Sequence, residues 1–167
     1  MNTKVKKASI KQYWPLISLI LVSMLAAFAI NWRVNGSATI WMHYFMGVFF
    51  LVFGVLKLFH PAKFADGFEM YDILAKRTRI YAYAYPVIEL TLGLLYLSFI
   101  LPMLTYVLTI IILTFGSIGV IRALKAGLDI NCPCMGSILD VPLSTITLTE
   151  DIGMAVMALM LLLMKIF

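Results

Sequence analysis

Charge is scarce in this chain. Asp, Glu, Lys and Arg together make up 13% of its 167 residues, against the roughly 25% of ordinary soluble domains, which excludes a normal water-facing surface. Sulfur ligands and imidazoles are scarcer still. Two cysteines exclude a disulfide-framework scaffold, and a zinc site would have only His43 and His60 to add to them, which disfavours one. No internal repeat or low-complexity tract is present, and the longest segments that are not strongly apolar, Pro61 to Arg79 and Lys125 to Thr145, are too short to bury a core of their own.

What is abundant is hydrocarbon. Apolar residues reach 63% and the mean hydropathy is +1.00, values of an integral membrane protein. A helix needs about 20 apolar residues to cross a bilayer, because only intra-helical hydrogen bonds can satisfy its backbone there. Five segments qualify: Trp14 to Ile30, Ile40 to Phe59, Ile80 to Phe99, Met103 to Ala123, and a last one beginning near Ile146 or Ile152 and ending at Phe167. Thr147 and Glu150 have capping-box spacing, which predicts that this last helix starts near Thr147 with Glu150 and Asp151 in its first turn. The expected fold is an all-α integral membrane protein, a four-helix transmembrane bundle with an additional amino-terminal transmembrane helix. Its parts are a basic cytoplasmic tail over 1–13, the extra helix or a signal peptide over 14–31, and the four-helix domain over 38–167. Ala27-Phe28-Ala29 is the feature that allows the signal-peptide alternative.

Basic residues set the orientation. Lys4, Lys6, Lys7 and Lys11, then Lys63, Lys76, Arg77 and Arg79, then Arg122 and Lys125 fall on one side of a five-helix path, and Arg33 stands nearly alone on the other. The amino terminus is therefore expected inside and the carboxyl terminus outside, in a multi-pass membrane protein. The same bias explains the net charge of +5 without a nucleic-acid partner; the lipid bilayer is the expected surrounding, and a homo-oligomer is an open alternative.

The two cysteines stand one residue apart in Cys132-Pro133-Cys134-Met135-Gly136. A disulfide across so small a ring is strained and more readily reduced than a structural one. This points to a redox-active dithiol, with a soft-metal site and a merely packed loop as alternatives. A second hint is charge at membrane depth, which insertion scales place at about 2.5–3.5 kcal/mol per ionised group. Glu89 lies mid-helix, on one face with Tyr81, Tyr85, Gly93 and Tyr96. A protonated Glu89 could donate to a tyrosine or to a quinone carbonyl, or relay protons during dithiol oxidation; Tyr85 and Tyr96 are the cofactor-binding candidates for such a quinone. Lys57 sits within about one turn of its helix end and is expected to snorkel to the headgroups, with a pairing to Glu89 as the alternative. His43 reads as an interfacial residue. Gly47 and Gly54 read as close-packing positions. The 11 methionines, Met154, Met157, Met160 and Met164 among them, suit Cu(I) chemistry but are better explained as packing.

The segments Lys57 to Phe64, Tyr85 to Gly93 and the Cys-x-Cys loop before the last helix resemble the DoxX and MauE group of bacterial membrane proteins. The resemblance covers about Ile40 to Phe167 and implies a four-helix membrane domain in a bacterial inner membrane. Its MauE branch implies an association with methylamine utilisation and a role in disulfide formation or maturation of a partner. That branch is marked by Cys-x-Cys followed by an aromatic residue and Gly; here Met135 stands in the aromatic position. The expected function is thus an accessory membrane redox protein with Cys132, Cys134 and Glu89 as its catalytic residues. Its expected partner is thioredoxin-like or another thiol protein. Soft-metal binding or transport, or a non-catalytic structural subunit, are the alternatives.

Overall fold

The computed structural model describes residues 10–126 and 143–166, and within them the regular elements are all helices: α1 (Ile10–Arg33), α2 (Ala38–Phe59), α3 (Pro61–Glu69), α4 (Arg79–Ser98), α5 (Pro102–Lys125) and α6 (Leu143–Ile166). Among these, α1, α2, α4 and α5 are each long and apolar enough to cross a membrane. The fifth long helix, α6, is 24 residues long and packs side by side with α5. Such a bundle is the expected membrane fold, and the chain is a multi-pass membrane protein.

Local chemistry sets the boundaries. Ser37 caps α2, its side chain accepting from the Ile40 amide at 3.5 Å, after a turn in which Asn35 takes a left-handed conformation (φ 48°). Pro61 and Pro102 occupy the first turns of α3 and α5, where their missing N–H costs nothing and their fixed φ suits a helix. Between α4 and α5, Phe99 and Leu101 both adopt positive φ (55° and 47°), which makes the reversal tight.

Packing comes in two pairs. α2 lies along α4, α5 along α6, and α1 rests on α2 through the buried Ser23 and Ala27. The α2–α4 approach is backbone to backbone. A Cβ on Gly93 would sit 3.0 Å from the Gly47 carbonyl oxygen, and one on Gly47 would sit 3.1 Å from that of Gly93, so the spacing expected of small-residue membrane packing is met here. Outward faces carry large apolar side chains such as Leu25 on α1, Leu94 on α4 and Ile111 on α5, which suits contact with lipid tails.

The segment Pro61 to Arg79, too short for a core of its own, adds to that of the bundle: α3 buries Phe64, Ala65 and Phe68 against the start of α4, and Tyr71 and Asp72 beyond it are buried too. One expectation changes. The last helix starts at Leu143 rather than near Thr147, so Glu150 and Asp151 lie about two turns into it and inside the bundle.

Candidate functional site

Two polar clusters sit at opposite ends of the bundle. The first is built around Lys57, near the end of α2. Its side chain does not reach out to the headgroups: Lys57 is 6% exposed and forms an ion pair with Glu89 of α4, which is 5% exposed. The expected snorkelling fails because α3 and α4 close over that end of α2. The ammonium lies 5.1 Å from the centre of the Tyr85 ring and 5.4 Å from that of Phe64, and both faces attract a cation. Of the two readings of Lys57, the pairing with Glu89 is the one the structure shows.

Beside the pair is a cavity of about 30 Å³, lined by Lys57, Glu89, Glu150 and Asp151 together with Phe49, Phe50, Phe53, Leu113 and Met154. Three carboxyls from two helices therefore surround one lysine. Glu89 Oε2 and Glu150 Oε1 are buried and have no hydrogen-bond partner in the protein. Asp151 lies against α5 where the helix lacks a side chain: a Cβ at Gly116 would be 3.5 Å from its Oδ2. Glu150 and Asp151 escaped the sequence reading as site residues because their capping-box spacing placed them at a helix start. The signal that could have found them is the length of the apolar stretch, since a helix counted from Ile152 is too short to cross.

Tyr71 and Asp72, in the connection between α3 and α4, cover this end of the cluster. Burial pushes the Tyr71 phenol well above its ordinary value, with Asp151, Asp72 and Glu89 adding to the shift. Asp72 Oδ1 accepts from the amides of Leu74 (2.9 Å) and Ala75 (2.8 Å). Burial nevertheless pushes its carboxyl up, against those two amides and Lys76. The Tyr71 carbonyl rests on α5 at Gly119, where a Cβ would approach it to 2.8 Å. Gly116 and Gly119 thus admit a side chain and a loop.

The second cluster is at the other end of the bundle. His43 is buried, not interfacial (4% exposed). Its Nδ1 is 3.3 Å from the Tyr96 carbonyl, which can only accept, so Nδ1 carries a proton. Its Nε2 is hydrogen-bonded to the Tyr106 hydroxyl, and in the neutral ring that nitrogen accepts. The Tyr96 hydroxyl donates to Thr109 (3.2 Å), whose own hydroxyl donates to the Thr105 carbonyl (2.8 Å). The Phe99 ring stacks on His43 at 4.5 Å. Every polar group named here has a partner, which is the condition for burying a network in lipid.

The structure places Glu89 and Tyr85 together but leaves Tyr96 in the second cluster, 11 residues or about 16 Å along α4. Tyr85 packs among aromatic rings, 4.6 Å from Phe68 and 6.1 Å from Phe64. Neither Tyr85 nor Tyr96 lines the cavity beside Glu89. Cys132 and Cys134 lie outside the described residues. Their segment joins α5 and α6 at the ends nearer the Lys57 cluster. The methionines of α6 do not converge: Met154 is buried, whereas Met160 and Met164 are 50% and 61% exposed on the outer face. No group of three or more His, Cys, Asp or Glu able to hold a metal ion occurs among the described residues.

A family model described as methylamine utilisation protein MauE matches residues 35–164. The match begins after α1 and takes in both polar clusters, the cysteine segment and most of α6. No curated protein and no solved structure matches the chain. The chain belongs to the MauE family.

Proposed function

We propose that this MauE-family membrane protein is an accessory redox protein of a bacterial inner membrane, whose Cys132 and Cys134 exchange electrons with a thiol protein partner in the service of methylamine utilisation. The single observation that carries this reading is the spacing of its only two cysteines, one residue apart in the segment between α5 and α6. The family's description supports the pathway. The reaction is a thiol–disulfide exchange. A thiolate of one protein attacks a sulfur of the other's disulfide, a mixed disulfide forms, and the second thiolate displaces it. Two electrons pass from dithiol to disulfide, and the two thiol protons pass with them to the new dithiol. No further oxidant is required for this exchange.

Mixing the reduced full chain in lipid vesicles with oxidised thioredoxin, then alkylating and weighing both proteins, tests the reading. One partner disulfide should be lost for each chain oxidised. The variants Cys132→Ser and Cys134→Ser, each with a single thiol, should leave the thioredoxin disulfide intact at the end point, because the thioredoxin thiol freed by their attack reverses the mixed disulfide. Exchange at the rate of the double Ser variant would remove the dithiol from the account.

A further inference from the structure

The Lys57–Glu89 pair accounts for one positive and one negative charge, yet Glu150 and Asp151 line the same cavity. Full ionisation of all three carboxyls would leave two uncompensated negative charges inside a membrane bundle. Such charge is expensive at that depth, and the cheap remedy is to keep a proton. Geometry adds a second, independent mark of a ligand. Glu89 is nine-tenths buried or more, lines the cavity, and has an Oε2 without a protein partner, and Glu150 Oε1 is likewise unpartnered. An acceptor oxygen in that position calls for a donor. The cavity's 30 Å³ has room for about two or three water molecules, at the ~10–15 Å³ each requires, and water wants two to four polar partners. Lys57, Glu89, Glu150 and Asp151 supply them.

We propose that Lys57, Glu89, Glu150 and Asp151 form a proton-binding site, in which carboxyls and one or two waters share at least one exchangeable proton at neutral pH. The ion pair fixes Glu89 through Oε1 and leaves Oε2 facing the shared proton. The other titratable groups in electrostatic reach among the described residues include three phenols, Tyr71 from the α3–α4 connection and Tyr81 and Tyr85 from α4, together with Asp72 beside Tyr71. From α5 the cluster meets Gly116 and Leu113, neither of which titrates. The site stands on this geometry alone and does not rest on the dithiol reading. Where both hold, the proton store lies at the end of the bundle at which the cysteine segment joins α5 to α6.

Infrared spectra of the purified full chain in lipid vesicles, taken in H₂O and D₂O across a pH series, test the site. The wild type should show a protonated-carboxyl stretching band at neutral pH that shifts down in D₂O and fades as pH rises. Glu150→Gln and Asp151→Asn should each lower that band or shift its midpoint. The triple variant Glu89→Gln, Glu150→Gln, Asp151→Asn should abolish it, and Asp66→Asn, in an exposed ion pair with Arg79, should leave it unchanged. The absence of an exchangeable band in the wild type would overturn the proposal without any variant, so a triple variant that fails to fold does not protect it. A band unchanged in both single variants, or one lost on adding Na⁺ or K⁺ at constant pH, would also overturn it, the latter by assigning the cavity to a metal cation.

Discussion

Glu89 was legible in the sequence because a carboxyl halfway along an apolar helix has no cheap route to water. Lys57 was not, because a lysine within a turn of a helix end can usually snorkel, and only α3 and the aromatic rings of Phe64 and Tyr85 prevent it here. The difference has a measurable consequence. Removing one member of a buried ion pair strands the other, at about 3–5 kcal/mol, whereas Glu89→Gln leaves Lys57 with Glu150 and Asp151 still beside it. Lys57→Met should therefore destabilise the protein by several-fold more than Glu89→Gln in reversible unfolding from mixed detergent micelles. Its deficit should shrink as pH falls, because protonation neutralises the stranded carboxylate. A Lys57→Met cost within the ~1 kcal/mol of an exposed pair would return Lys57 to the headgroups. His43 escaped recognition for a different reason: its two hydrogen-bond partners, Tyr96 and Tyr106, are 53 and 63 residues away, and no local pattern announces them.

At the scale of elements, the four helices with uninterrupted apolar runs were placed to within a few residues, since hydrocarbon length and prolines at 61 and 102 fix their ends. The start of α6 was misplaced because the threonine–glutamate spacing imitates a cap while the helix already begins at Leu143. The α2–α4 crossing was foreseen only as a stripe of small residues; that Gly47 faces Gly93 depends on register. Gly93→Ala would push a Cβ to 2.9 Å from Leu51 Cγ and 3.0 Å from the Gly47 carbonyl, an overpacking that typically costs 1–3 kcal/mol, so about that loss is expected in the same unfolding assay. Gly153→Ala on α6 is the matched control. Nothing lies within 4 Å of its Cβ position, so the better helix propensity of Ala should leave stability unchanged or raise it by about 0.5–1 kcal/mol. Equal losses at the two glycines would deny the close crossing.

For the whole molecule, the alternating path of α2, α4, α5 and α6 puts the Lys57 cluster, α3 and the ends of α5 and α6 that flank the cysteines at one end of the bundle, and the His43 network at the other. The first end is also the one with Lys63, Lys76, Arg77, Arg79, Arg122 and Lys125, the charges on which the expectation of a cytoplasmic side rests. Cytoplasmic thiols are normally kept reduced, so with that expected orientation the proposed dithiol would have to be one that cycles. Its reduction potential decides the matter most directly. Equilibrating the full chain in lipid vesicles against glutathione couples, and reading the cysteines by mass after alkylation, should give one two-electron transition above the roughly −300 mV that bounds structural disulfides. A pair that stays reduced under every couple, or that titrates only below that bound, would contradict a redox role for Cys132 and Cys134.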